Sequence, residues 1–98
     1  LEHVDRAAAA FRTRLMTLQE TCDAVRDVRV IGMMIGVELS IDGAAVVQAC
    51  LDRNLLVNAT QGRVIRLLPA MTITQAEVEE GCDILAEAIR EVAARGTA

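Results

Sequence analysis

Apolar side chains at Val4, Phe11, Leu15, Leu18 and Cys22 recur at steps of three, four or seven, which predicts a helix over residues 1–22. Arg6, Arg12, Arg14 and Glu20 fill its other side, and the alanines Ala7 to Ala10 favour helix and close packing. The period then changes. Met33, Ile35, Val37 and Leu39 alternate with Met34, Gly36 and Glu38, and Val28 and Val30 extend the alternation backwards. That is a strand pattern over residues 25–39, read either as two paired strands or as one long bent strand. Gly32 and Gly36 mark points where it bends, bulges or lets another backbone approach.

Asp42-Gly43 reads as a turn, followed by a short helix over residues 44–53 with Val47, Cys50 and Leu51 on its apolar side. Asn54 suits the left-handed position that ends such a helix. Residues 55–59 and 64–68 read as strands joined by Gln61-Gly62, a hairpin. The last helix carries the clearest start signal. Thr74 and Glu77 have capping-box spacing, and Ile73 with Val78 are placed for a hydrophobic staple. Val78, Cys82, Leu85, Ile89 and Val92 form its buried stripe, Arg90 and Arg95 suit the negative end of the helix dipole, and Gly96 supplies the stop. The order predicts an α+β fold: a small, mostly antiparallel sheet with three helices packed on one face.

With 98 residues the chain fits one domain, residues 1–98. Its apolar content is 53%, yet Phe11 is the only aromatic residue, so the core is built from aliphatic side chains. The lack of aromatics and the net charge of −4 argue against nucleic-acid partners. No apolar run reaches membrane-spanning length and no signal-peptide pattern is present, which points to the cytoplasm. Cys22, Cys50 and Cys82 are far apart, and His3 is the only histidine, so no zinc-ligand spacing exists; the cysteines read as small buried hydrophobes. A first residue other than Met and so apolar a composition point to a fragment of a longer protein.

Little catalytic chemistry is legible. Gly32 and Gly36 lie inside a strand pattern without a following Lys-Ser/Thr, so no phosphate loop is present. A Ser-His-Asp set is ruled out by the position of the one histidine. All ten basic residues are arginines, so chemistry that needs a Schiff-base lysine is excluded. The acidic set Glu77, Glu79, Glu80 and Asp83 suits the first turns of a helix and reads as a solvated face rather than a metal site. Arg66 stands apart, because it interrupts the apolar run Val64-Ile65-Arg66-Leu67-Leu68. A charge there needs a partner or a job. It either receives a carboxylate on its planar fork, or points to solvent or pairs with Glu38.

Residues 25–39, VRDVRVIGMMIGVEL, resemble the "VRGxGLMxGIEL" segment of class-III pyridoxal-phosphate aminotransferases. Residues 55–60, LLVNAT, and 64–74, VIRLLPAMTIT, resemble "GLLVNAT…VIRLLPPLTIT", most typical of the acetylornithine branch with its ornithine and succinyldiaminopimelate relatives. The resemblance covers nearly the whole chain, in order, and corresponds to the C-terminal small domain of the subunit. Val30 and Ile31 depart from the pattern where Gly and a basic or polar residue are usual; Asn54 replaces a Gly, and Ala70 the second Pro.

The resemblance implies that Arg66 binds the α-carboxylate of an amino-acid substrate. It also implies a cytoplasmic, homodimeric enzyme of arginine biosynthesis that uses pyridoxal phosphate. The cofactor's ligands would lie on an N-terminal large domain of the same subunit, so this fragment would bind no cofactor and hold no catalytic residue. A free-standing, non-catalytic α+β interaction or ligand-binding module is the alternative.

Overall fold

The computed structural model describes residues 2–96. Leu1, the expected start of the first helix, lies outside the described residues, as do residues 97–98. Helix α1 (Glu2–Thr21) buries Ala7, Ala8, Phe11, Leu15 and Leu18, the face that the apolar spacing predicts. Strands β1 (Val25–Ile31) and β2 (Met34–Leu39) pair antiparallel, with Val28 opposite Val37 and Val30 opposite Ile35. Of the two sequence readings, paired strands is therefore the one realised. Gly32, at φ +56°, is the turn residue between them and not a bend within a strand. A register shift between Val25 and Asp27 gives β1 its one irregularity.

Helix α2 (Gly43–Leu51) starts at Asp42, whose side chain accepts from the Ala44 N–H. Asp42-Gly43 is thus a helix start, where the sequence reads as a turn. The buried side of α2 is Val46, Ala49 and Cys50; Leu51, expected on it, is half exposed. Asn54 does take the left-handed conformation, φ +63°. The bonds Asn54 N–H to Leu51 O (2.9 Å) and Leu55 N–H to Cys50 O (2.8 Å) close the helix end in a Schellman arrangement.

The hairpin follows, with β3 (Asn58–Thr60) and β4 (Val64–Leu67) joined by residues 61–63, where Gln61 and Gly62 have positive φ. Strand β3 is shorter than the pattern over residues 55–59 predicts, because pairing with β4 begins only at Asn58. The four strands form one antiparallel sheet in the order β1-β2-β4-β3. Helix α3 (Gln75–Gly96) opens with the capping box: the Thr74 N–H donates to Glu77 Oε1 (2.9 Å) and the Glu77 N–H to Thr74 Oγ1 (3.1 Å). Its expected stripe, Val78, Cys82, Leu85, Ile89 and Val92, is buried, with Ala88 added.

Alternation along the strands decides the faces of the sheet. Ile35, Val37, Leu39 and Ile65 are at most 2% exposed and join the helix side chains in one core. Each fully buried aliphatic side chain of this kind contributes about 1.5–3 kcal/mol. The residues between them point to the opposite face, which no helix of the described residues covers.

Candidate functional site

On the open face, Arg66 stands in a row that runs across the whole sheet. Gly36 of β2 is its Cα partner on one side and Asn58 of β3 on the other, and Gly36 in turn pairs with Arg29 of β1. Strand β4 is an inner strand, so the backbone beneath Arg66 is fixed by hydrogen bonds on both edges. The neighbouring Ile65 is fully buried, which commits Arg66 to the opposite face.

The two arginines of this row differ in electrostatic state. The Arg29 guanidinium donates to Asp27 Oδ2 at 3.0 Å and to Glu38 Oε1 at 3.3 Å, so two carboxylates neutralise it. Glu38 therefore pairs with Arg29 and not with Arg66. Among the described residues only Arg26 and Arg66, of the ten arginines, make no side-chain hydrogen bond or ion pair. Arg66 is exposed, and its planar fork is open to a ligand.

Two shallow grooves flank it. One, of about 340 Å³, is lined by Leu56, Val57, Asn58, Thr60, Arg66 and Leu68. The other, of about 250 Å³, runs over Gly36 between Ile31, Met34 and Arg66. Ile31 (74% exposed), Leu56 (85%), Leu68 (70%) and Met34 (53%) make the surroundings apolar. A guanidinium among exposed aliphatic side chains is suited to a ligand that joins a carboxylate to a hydrocarbon chain.

The other singled-out residues do not converge on this place. Arg14 of α1 donates to both Glu79 and Asp83 of α3, so the acidic face carries an interhelix clasp that the sequence analysis did not foresee. The bonds it donates to Asp83, and then to Glu79, hold the Arg14 guanidinium above its ordinary pKa. Its signal in the sequence is faint, since Arg14 and the acidic residues lie 65 or more positions apart. No group of three or more His, Cys, Asp or Glu among the described residues is arranged to hold a metal. Burial pushes the Cys50 and Cys82 thiols up to about 11, as expected for packed, unreactive cysteines. His3 donates from Nε2 to the Ile73 carbonyl (2.8 Å), a tie between α1 and the segment that precedes α3. No described helix is long and apolar enough to cross a membrane.

Residues 1–89 match the family model described as aminotransferase class-III, and the chain belongs to that family. An acetylornithine aminotransferase of Methanothermobacter thermautotrophicus is 36% identical over 91 residues, covering 93% of this chain and 23% of that protein. The crystal structure of N-acetylornithine aminotransferase from Stenotrophomonas maltophilia matches with a TM-score of 0.85 and 30% identity, over 96% of this chain and 27% of that one. An adenosylmethionine-8-amino-7-oxononanoate aminotransferase from Methanocaldococcus jannaschii matches with a TM-score of 0.82 and 31% identity, over 93% and 23%. The chain thus spans about a quarter of the length of the relatives it matches.

Proposed function

We propose that this chain is the C-terminal, substrate-binding domain of an acetylornithine-type aminotransferase subunit of arginine biosynthesis, and that Arg66 receives the α-carboxylate of the amino acid. The observation that carries the reading is Arg66 itself: an exposed guanidinium without an ionic partner, mounted on an inner strand opposite a residue with no side chain. Membership of the class-III family favours this reading over a free-standing interaction module.

Pyridoxal phosphate, the family's cofactor, supplies the electron sink that lets an amino group move between carbon skeletons. The chain contains no lysine to carry it covalently, so the residues that hold it are assigned to an N-terminal large domain of the same subunit, working as a cytoplasmic homodimer. What the present residues contribute is binding and orientation. Two parallel N–H···O bonds from Arg66 fix both position and rotation of the carboxylate, and with them the direction in which the amine points. Closure by a large domain over Ile31, Met34, Leu56 and Leu68 would remove water from the ion pair and strengthen it.

The test uses the complete subunit with cofactor bound. Arg66→Ala and Arg66→Lys are both expected to lower kcat/KM for the amino acid roughly 100-fold, about 3 kcal/mol of charge-assisted hydrogen bonding, because lysine offers a point charge instead of a fork. Cofactor affinity should be unchanged in a titration. Near-normal amino-acid kinetics in both variants would end the assignment.

A further inference from the structure

We propose that Asn58 is a second substrate-binding residue, donating its side-chain amide N–H to the same carboxylate that Arg66 holds. The inference rests on the reading of Arg66 above and goes beyond it. Asn58 is the direct Cα partner of Arg66 across the β3–β4 pair. Side chains at such positions start about 4.5–5.5 Å apart at Cβ, within reach of one small ligand. Both are exposed, both line the groove of about 340 Å³, and the Asn58 carboxamide makes no hydrogen bond among the described residues. The other ladder partner of Arg66 is Gly36, which offers no side chain. Of the two direct ladder partners of Arg66, only Asn58 on the β3 side therefore carries a polar donor, and the carboxylate is drawn to that side.

The residue type fits the task. A carboxylate has about four lone-pair positions, and a guanidinium fork takes two of them. Once water is excluded, an unsatisfied position is costly, and an amide N–H fills it without adding charge. An acidic residue at position 58 would occupy the fork itself, as Asp27 and Glu38 do for Arg29.

The experiment compares Asn58→Ala, Asn58→Asp and Arg66→Ala in the complete, cofactor-loaded subunit. Affinity is measured by calorimetry for 2-acetamidopentanoate, which keeps the carboxylate, acetamido group and carbon chain of acetylornithine but lacks the reacting amine. KM and kcat for acetylornithine are measured beside it. Asn58→Ala should weaken binding and raise KM by about 10-fold, with kcat within about 2-fold, because the bond is made equally in ground and transition states. Asn58→Asp should weaken binding by about 100-fold, through competition for the fork and repulsion of the ligand. Position 58 is exposed, and melting curves of both variants check that they fold. Wild-type affinity in both Asn58 variants, with binding lost in Arg66→Ala, would overturn the role of Asn58 and leave that of Arg66 standing. Wild-type affinity in Arg66→Ala would remove both. A loss confined to kcat would also overturn the binding role.

Discussion

Gly36 lies directly opposite Arg66 in the β2–β4 ladder, and a Cβ added to it would meet nothing nearer than Val64 Cγ1 at 3.9 Å. Packing therefore does not demand a glycine there, and its φ is not in the left-handed region. What the missing side chain does is leave the space over β2 beside the guanidinium empty. Gly36→Val is expected to fold with an unchanged or higher urea midpoint, since a β-branched residue suits a strand. In the complete subunit, the same variant is expected to raise KM for the amino acid by about 10-fold or more, as the isopropyl group crowds the ligand beside Arg66. A variant with normal KM would show that the space over Gly36 is not used.

Gly43 presents the opposite case. Its N–H donates to the Gly62 carbonyl at 2.7 Å, and an added Cβ would fall 2.7 Å from that same oxygen and 3.2 Å from the Ala59 Cβ. The first residue of α2 thus seats the turn of the β3–β4 hairpin, which carries Asn58 and Arg66 at its base. Alanine is the better helix former by about 1 kcal/mol, yet Gly43→Ala is expected to destabilise the domain by about 2 kcal/mol through this overlap with backbone. Urea unfolding of Gly43→Ala beside Ala44→Gly measures it. A Gly43→Ala midpoint at or above that of the parent chain would mean that the hairpin can move away freely.

The start of α3 is readable in the sequence because a capping box is local chemistry, complete within Thr74 to Glu77. Its stripe is readable because polar residues separate the apolar ones and fix the phase. In α2 that contrast is missing. Its sequence GAAVVQACL is apolar nearly throughout, so tertiary contacts kept the expected Cys50 but chose Val46 and Ala49 over Val47 and Leu51. The length of β3 was hidden for another reason, since a strand ends where its partner stops pairing, and residues 55–57 carry no trace of that. For Arg66, alternation told that it faces away from Ile65. It could not tell that Gly36 and Asn58 are its neighbours. Register is a property of two strands, and neither sequence alone contains it. Glu38 lies diagonal to both Arg29 and Arg66 in the ladder, and its side-chain bond goes to Arg29.

The cysteines offer a probe of folding. Cys50 is 0% and Cys82 3% exposed, and desolvation pushes both thiols up to about 11, partly offset by Arg53 and Arg14 respectively. The thiolate is the reactive form, so the native chain at neutral pH should react with an aromatic disulfide reagent slowly at both sites. Cys22, at 9% exposure, should react first. All three should react at once in concentrated urea. Fast native labelling of Cys50 or Cys82 would mean that the core around α2 and α3 opens readily.

Acid should weaken the start of α3 in a way that one variant can isolate. The Thr74 N–H, and then the Thr74 hydroxyl, hold the Glu77 carboxyl below its ordinary pKa, because both bonds favour the charged form. A carboxyl whose folded pKa is depressed contributes stability above its unfolded pKa, about 4.3 for glutamate, and that contribution is lost as pH falls through the lower folded value. Glu77→Gln keeps an acceptor for the capping box but carries no charge and does not titrate. The urea midpoint of the parent chain should therefore exceed that of Glu77→Gln at pH 7, and the gap should close on acidification through the range below about pH 4. Titrations at a fixed ionic strength keep other surface charges comparable. A gap that stays constant from neutral to acid pH would show that the charge of Glu77 contributes nothing to the cap. A gap that widens on acidification would contradict the depressed pKa itself.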